Sequence, residues 1–233
     1  MKRLKGRVKQ PEGFEDFPPG LVSLPGERLE GVKFLYVGDV SGRTHISLKD
    51  SVAGMVCDAS GSMELELRGD NRLRRIITVP EGSRLKLSYV SRGGGTVEDL
   101  VYLKEGAELV YDGRFRVRSG AFTASVRVVH EGKKSSSKVD LRGVVRGKAR
   151  ILPTGELLPG SVGSRTSLNG FVVVFGRGEV KAVPELLVGE QEAAASHSFK
   201  KLRLTQGQQF YLSSRGLGEN NIEKLYERFI LGG

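Results

Sequence analysis

Short apolar runs recur along most of the chain, separated by glycine, serine, acidic and amide residues. Runs such as 63–67, 76–79 and 85–89 place apolar side chains in the alternating or continuous patterns that are typical of β-strands. Between residues 32 and 188 nothing indicates a long helix. We therefore predict an all-β body over residues 32–204, preceded by an extended arm, residues 1–31, and followed by a helical pair, residues 205–233.

Two architectures fit a chain of successive short strands: an antiparallel sandwich or barrel, and a parallel β-helix. The dipeptides Asp112-Gly113 and Asn169-Gly170 favour hairpin turns, and hence the antiparallel choice. The segments 79–85 and 103–109 each carry a central glycine between apolar residues, which resembles a corner between turns of a β-helix. Pattern alone leaves both architectures open.

The C-terminal residues change the pattern from strands to helices. Thr205 and Gln208 have the spacing of a capping box, so a helix is predicted from about Gln206 to Ser214, with Gly216 available to end it. A second helix is predicted after Gly218. Its apolar residues share one face and form a patch that either packs on the β-body or is offered to a partner: Ile222, Leu225, Tyr226, Phe229 and Ile230.

Composition narrows the functional classes. The formal charge of +10 and the pI of about 9.8 permit nucleic-acid binding without demanding it. A single cysteine, Cys57, excludes an internal disulfide and fits a reducing, cytoplasmic location. The basic N-terminus has no apolar segment long enough for a signal peptide or a membrane span, so no membrane partner is expected.

The motifs of common enzymes are missing, and we predict a protein that is not an enzyme. The segment 143–149 is one residue short of a phosphate-binding loop, and Ala149 stands where that loop needs a hydroxyl. Neither a G-x-S-x-G motif nor a zinc-binding cluster occurs. Basic runs at 72–75, 114–118 and 142–150 predict a solvated basic face on the strands, or alternatively a stripe that binds nucleic acid or another polyanion.

The C-terminal motifs resemble those of a known family. In order they are Pro184-Glu185-Leu186, Ser196-His197, the segment 209–217 (QFYLSSRGL) and an apolar helix that includes Phe229. Upstream segments at 130–137, 142–150 and 155–156 share the likeness. Together they resemble the SufB/SufD family of iron–sulfur cluster assembly proteins. The resemblance implies a right-handed parallel β-helix with a short C-terminal helical pair.

The resemblance also implies a function and partners. A non-enzymatic scaffold of this kind dimerises through its β-helix, with itself or with a SufB/SufD paralogue, and its C-terminal helices bind a SufC-like ABC ATPase. The residues that match the ATPase-docking segment are Phe210, Tyr211, Arg215, Gly216, Leu225 and Phe229. The alternative function, which the basic runs keep open, is a β-rich module for nucleic acid or polyanions, although nucleic acid is the less favoured partner.

The match also assigns a candidate cluster site. His197 matches the family histidine at the dimer interface, and imidazole is a good iron ligand. No cofactor is expected to be firmly bound; an iron–sulfur cluster would be held transiently. Ser198 follows His197 where SufB proteins carry Glu, and no cysteine follows Cys57, so the chain resembles a short SufD. Cys57 itself is expected to be a small buried hydrophobe or, alternatively, a thiolate for sulfur or iron.

Overall fold

The computed structural model describes Phe14 and residues 28–232. Sixteen strands are followed by two helices in these residues. The strands are β1 (Arg28–Glu30), β2 (Lys33–Val37), β3 (Arg43–Lys49), β4 (Val52–Asp58), β5 (Gly61–Arg68), β6 (Asn71–Val79), β7 (Arg84–Arg92), β8 (Gly95–Leu103), β9 (Glu108–Val117), β10 (Ala121–His130), β11 (Ser136–Val145), β12 (Lys148–Leu157), β13 (Arg165–Val174), β14 (Glu179–Ala182), β15 (Glu185–Val188) and β16 (Ala194–Arg203). The helices are α1 (Gln206–Ser214) and α2 (Glu219–Leu231).

Successive strands alternate between two parallel sheets. Sheet 1 has the order β1-β3-β5-β7-β9-β11-β13-β16, and sheet 2 has the order β14-β12-β10-β8-β6-β4-β2, with β15 also pairing with β12. Each strand therefore pairs with strands one turn away along the chain. This topology confirms the parallel β-helix and rules out the antiparallel sandwich or barrel.

The interior of the β-helix is built by alternation along each strand. In β9, residues 109, 111, 113, 115 and 117 are buried, while the residues between them are partly exposed. Because neighbouring strands are parallel and in register, inward side chains stack in rows across the turns. One such row consists of Leu87, Tyr111, Val139 and Leu168. The core is thus a column of stacked apolar rows.

Glycine residues form the corners that the sequence predicted at 79–85 and 103–109. Gly82 and Gly106 have positive φ angles of 61° and 64°, which glycine adopts without strain. The Gly82 N–H donates to the Glu105 carbonyl oxygen at 2.8 Å. A Cβ atom on Gly106 would lie 3.7 Å from the Gly82 Cα, so the two corners stack directly. The corner prediction is confirmed.

The predicted hairpin turns were wrong. Asp112-Gly113 lies in the middle of β9, which joins two runs that the pattern had kept apart, and Asn169-Gly170 lies within β13. The two glycines leave room for neighbouring rings. A Cβ atom on Gly113 would lie 2.7 Å from the ring of Tyr89 in the preceding turn. A Cβ atom on Gly170 would lie 2.0 Å from the ring of Phe199. A local Asp-Gly signal cannot distinguish a turn from a site of close packing.

The helices begin and end where local signals placed them. Thr205 accepts a hydrogen bond from the Gln208 N–H, and the Gln208 side chain accepts from the Thr205 N–H, which is the predicted capping box. Gly216, just after α1, has a φ of 78°. In the part of the chain that the structure describes, no helix is long and apolar enough to cross a membrane.

The described residues leave the predicted N-terminal arm largely untested. Of residues 1–31, the structure describes Phe14, which is buried, and 28–31, which include β1. The Phe14 ring contacts the outer face of sheet 2 near Gly54 and Leu35. The remainder of the arm lies outside the described residues.

We expect Gly113→Ala to lower the free energy of unfolding by about 1–3 kcal/mol, because the new methyl group would overlap Tyr89 and Leu141. Gly207→Ala is the matched control, since Gly207 lies in α1 with open space around its Cα; alanine there should be neutral or stabilising by up to about 1 kcal/mol. Urea unfolding followed by circular dichroism measures both. Equal stability of Gly113→Ala and wild type would contradict the stacked packing.

Candidate functional site

His197 lies on the last strand of sheet 1, at the open end of the β-helix. β16 pairs with β13, where His197 is the neighbour of the buried Leu168. Among the described residues no strand pairs with the other edge of β16. His197 is therefore exposed although its strand position corresponds to an inward row. The imidazole is available to a molecule that contacts this end.

The same end exposes apolar side chains. Val183, Leu187 and Val188 are 46%, 40% and 52% exposed. Val188 stacks on Leu157, a residue of the interior, but no further turn covers Val188 in the structure described. The final turn thus presents the interior of the β-helix and a ten-residue free strand edge side by side. Repeat proteins normally cover such an end with a polar capping element.

Cys57 is not near His197. It lies on β4, is 5% exposed and packs in the core of the β-helix. Burial raises the pKa of the Cys57 thiol to about 12, so the thiol stays protonated at neutral pH. β3 precedes β4 in the same turn, and six steps of strand pairing in sheet 1 lead from β3 to β16. Six steps correspond to roughly 29 Å at the usual strand spacing. Within one chain the two residues therefore do not form a joint site.

The predicted docking residues lie on or next to the two helices, and their large apolar side chains are exposed. Phe210 and Tyr211 of α1 are 78% and 58% exposed, and Leu225 and Phe229 of α2 are 53% and 74% exposed. Arg215 follows α1 and places its guanidinium 5.4 Å from the centre of the Tyr211 ring. Four large apolar side chains exposed on two consecutive helices make this region a candidate contact site.

The opposite face of α2 is fixed to the outer face of sheet 1. The helix contributes Ile222, Ile230 and Leu231 to this contact. The sheet contributes the outward-pointing Val144 and Val173, together with Phe175, which directly follows β13. Tyr226 meets the Phe175 ring edge-on, with 6.1 Å between ring centres. The predicted apolar face of α2 is therefore divided: Ile222, Tyr226 and Ile230 pack down, while Leu225 and Phe229 remain exposed.

Two sets of ion pairs, here called the α2 clamp, hold the same helix. Arg146 Nε donates to Glu223 at 2.5 Å and its Nη2 to Glu219 at 3.2 Å. Arg116 Nη1 donates to Glu227 at 3.1 Å. The Glu223 and Glu227 side chains are 10% and 11% exposed, so these pairs are shielded from water and are stronger than ordinary surface pairs. The clamp fixes which face of α2 points outward.

The basic run at residues 72–75 does not lie entirely on the solvent face that the sequence predicted for it. Arg75 is fully buried inside the β-helix, where its Nε and Nη2 donate to the two Asp99 carboxylate oxygens at 2.6 and 2.7 Å, and the Tyr111 hydroxyl donates to the same carboxylate. Burial opposes the charge of Arg75, but Asp99 outweighs it and the pKa of Arg75 is raised. Arg75 alternates in phase with the buried Leu73 and Ile77, and that signal could have revealed its inward position.

Several other cations of the basic runs are neutralised. Arg114 and Arg142 both pair with Asp112, whose pKa is lowered by these hydrogen bonds despite its partial burial. Arg116 and Arg118 pair with Glu227. The runs therefore contribute much of their charge to contacts within the protein, which leaves less of it for a nucleic acid.

A buried histidine–hydroxyl network lies at one corner of the β-helix. His130 Nδ1 lies 2.7 Å from Ser135 Oγ, and its Nε2 lies 2.8 Å from Ser137 Oγ. The Ser137 hydroxyl contacts Thr166 at 2.8 Å, and Ser135 donates to the Gly132 carbonyl oxygen. His130 is 0% exposed and Ser135 is 1% exposed, so no substrate reaches this serine–histidine pair. The network satisfies buried polar groups.

We expect His130 to make folding sensitive to acid. Burial lowers the pKa of His130 from 6.5 to about 4 in the folded state, so the unfolded chain binds the proton more tightly. The stability from neutral His130 is complete above about pH 6.5 and is lost progressively as the pH falls from 6.5 to about 4. Between pH 7 and 4.5 the wild type should lose about 2.5 kcal/mol more unfolding free energy than His130→Gln. Urea titrations of both proteins measure the difference, and identical pH slopes would refute it.

Within the described part of the chain, no group of three or more His, Cys, Asp or Glu side chains is arranged to hold a metal ion. His197 lies at the open end of the β-helix without such a group around it in the described residues.

The fold and these surfaces define a class: a parallel β-helix with one end open among the described residues and two C-terminal helices, of which α2 is clamped to sheet 1. The chain belongs to the SufB/SufD family. The family profile described as "SUF system FeS cluster assembly, SufBD core domain" matches residues 77–226, which is more than half of the sequence. The comparison with curated proteins gave no match. The family membership confirms the resemblance and establishes a role in SUF iron–sulfur cluster assembly.

Proposed function

We propose that this chain is a non-enzymatic scaffold subunit of a SUF-type assembly complex, which docks a SufC-like ABC ATPase on α1 and α2 and dimerises through the open end of its β-helix. The observation that carries the proposal is the exposure of four large apolar side chains on the two C-terminal helices, of which α2 has its other face fixed to sheet 1. They are Phe210, Tyr211, Leu225 and Phe229.

The docking surface is separate from the contacts that stabilise α2. Ile222, Ile230 and the clamp already bury one face of the helix against sheet 1. Leu225 and Phe229 contribute nothing to that packing and remain in water. A helix with i and i+4 apolar anchors on its free face fits a hydrophobic groove on another protein. A folded partner such as an ABC ATPase can supply that groove.

The open end supports the dimer. β16 offers a free edge of ten residues, and unprotected edges of that length tend to pair with another strand. Val183, Leu187 and Val188 next to it would be covered by the same contact. A second chain at this end would cover the surface that the described residues of one chain leave open, whether that chain is a copy or a SufB/SufD paralogue.

The cargo would be held where the chains meet. His197 is exposed at the open end, so two chains joined there would bring their interface histidines close together. Neutral imidazole binds iron, and the remaining ligands would come from the partner or from the transient cluster itself. Cys57, buried and protonated, does not belong to this site in the structure, so a role for it requires opening of the core.

We expect Phe229→Asp to weaken binding of the ABC ATPase of the same SUF system by about 100-fold, because a charge would replace the most protruding apolar anchor of α2. Isothermal titration calorimetry with the purified ATPase measures the change. Fold integrity is checked by thermal unfolding, which should be unchanged because Phe229 is 74% exposed.

Leu187→Asp is the matched control, since it places the same charge on an exposed apolar side chain at the other surface. It should leave ATPase affinity unchanged and shift sedimentation towards the monomer. The proposal fails if Phe229→Asp binds the ATPase as tightly as wild type, or if the two variants exchange these effects.

A further inference from the structure

The charges of α2 are sorted by face. Glu223 and Glu227 point towards sheet 1 and are held by the clamp, and Glu219 at the start of the helix pairs with Arg146. Lys224 and Arg228 are exposed and have no ion pair among the described residues. The acidic side chains of the helix are thus neutralised underneath, while its basic side chains face water.

Helix geometry places those cations beside the docking anchors. Residues three or four positions apart share a helix face, so Lys224 and Arg228 flank Leu225 and Phe229. α1 also exposes Phe210 and Tyr211, contains no acidic residue and is followed by Arg215. We call the four α2 residues the basic-rimmed face: Lys224, Leu225, Arg228 and Phe229.

We infer that the basic-rimmed face recognises a protein groove that is apolar at its centre and lined at its rim by Asp and Glu side chains. The inference rests on the proposed function, because it specifies the chemistry of the ATPase surface that would bind there. The occupant is argued from charge complementarity: an apolar centre supplies affinity, while opposite charges at the rim raise the association rate and penalise partners with the wrong charge.

The clamp makes the charge displayed by the basic-rimmed face positive. Arg116 and Arg146 lie on or next to strands far from α2 in sequence, yet they bind Glu227 and Glu223 underneath the helix. If these carboxylates pointed outward, their negative charges would cancel the positive charges of Lys224 and Arg228 that a partner meets. The strands therefore set both the orientation of α2 and the charge that it displays.

The test is a charge reversal that keeps every apolar anchor. Lys224→Glu with Arg228→Glu should weaken binding of the purified SUF ATPase by about tenfold at low salt, mainly through slower association. Wild-type affinity should fall as sodium chloride rises, and the double variant should lose that dependence. Surface plasmon resonance gives both rates.

Two further variants keep the result interpretable. Lys224→Glu alone changes the middle of α2 and leaves the favourable cation in its last turn, so a smaller loss of the same kind is expected even if the double variant disturbs the helix. Arg150→Glu with Lys181→Glu changes net charge equally on the outer side of sheet 2 and should bind like wild type.

The outcomes separate the inference from the proposed function. If Phe229→Asp abolishes binding but both Lys224 variants bind like wild type or more tightly, the acidic-rim inference is overturned and the docking site stands. If the sheet 2 control loses affinity as much as the double variant, the effect is one of net charge and the inference is again overturned. If Phe229→Asp binds like wild type, the docking proposal itself fails.

Discussion

In-register stacking of parallel strands is the constraint on which the rest of the structure depends. Because neighbouring turns are parallel, each inward side chain lies against its counterpart one turn away, and a residue is acceptable only if it suits both neighbours. Gly113 leaves room for the ring of Tyr89. Arg75 tolerates complete burial because the register places Asp99 directly beside it.

The same stacking creates the two candidate surfaces at its boundaries. Outward rows of sheet 1 carry Val144 and Val173, which form the apolar bed for α2. Arg116, one of the clamp cations, projects from the same face. Where stacking stops, at β16 and β15, interior positions become exposed, and His197 and Val188 occupy such positions. The exposed side of α2 and the open end therefore lie at different parts of one continuous β-helix.

Sequence predicted the local features well, and the long-range ones poorly. The strands, the corners at Gly82 and Gly106, and both helices follow from signals within a few residues, such as the Thr205 capping box. The choice between parallel and antiparallel sheets does not follow from local signals, because apolar and polar residues alternate in the same way in both. The family resemblance indicated the parallel arrangement. Burial of Arg75 and the division of the α2 apolar face depend on partners such as Asp99 and Arg146, which only the fold brings near.

We propose that the SUF ATPase binds the exposed side chains of α1 and α2, and site-specific photo-crosslinking is the sharpest test of this contact. A photoreactive phenylalanine analogue replaces either Phe229, on the exposed face, or Tyr102, on the outer side of sheet 2. In the complex, we expect a covalent product with the ATPase from position 229 and none from position 102. A product from position 102 alone, or from neither position while the complex forms, would contradict it.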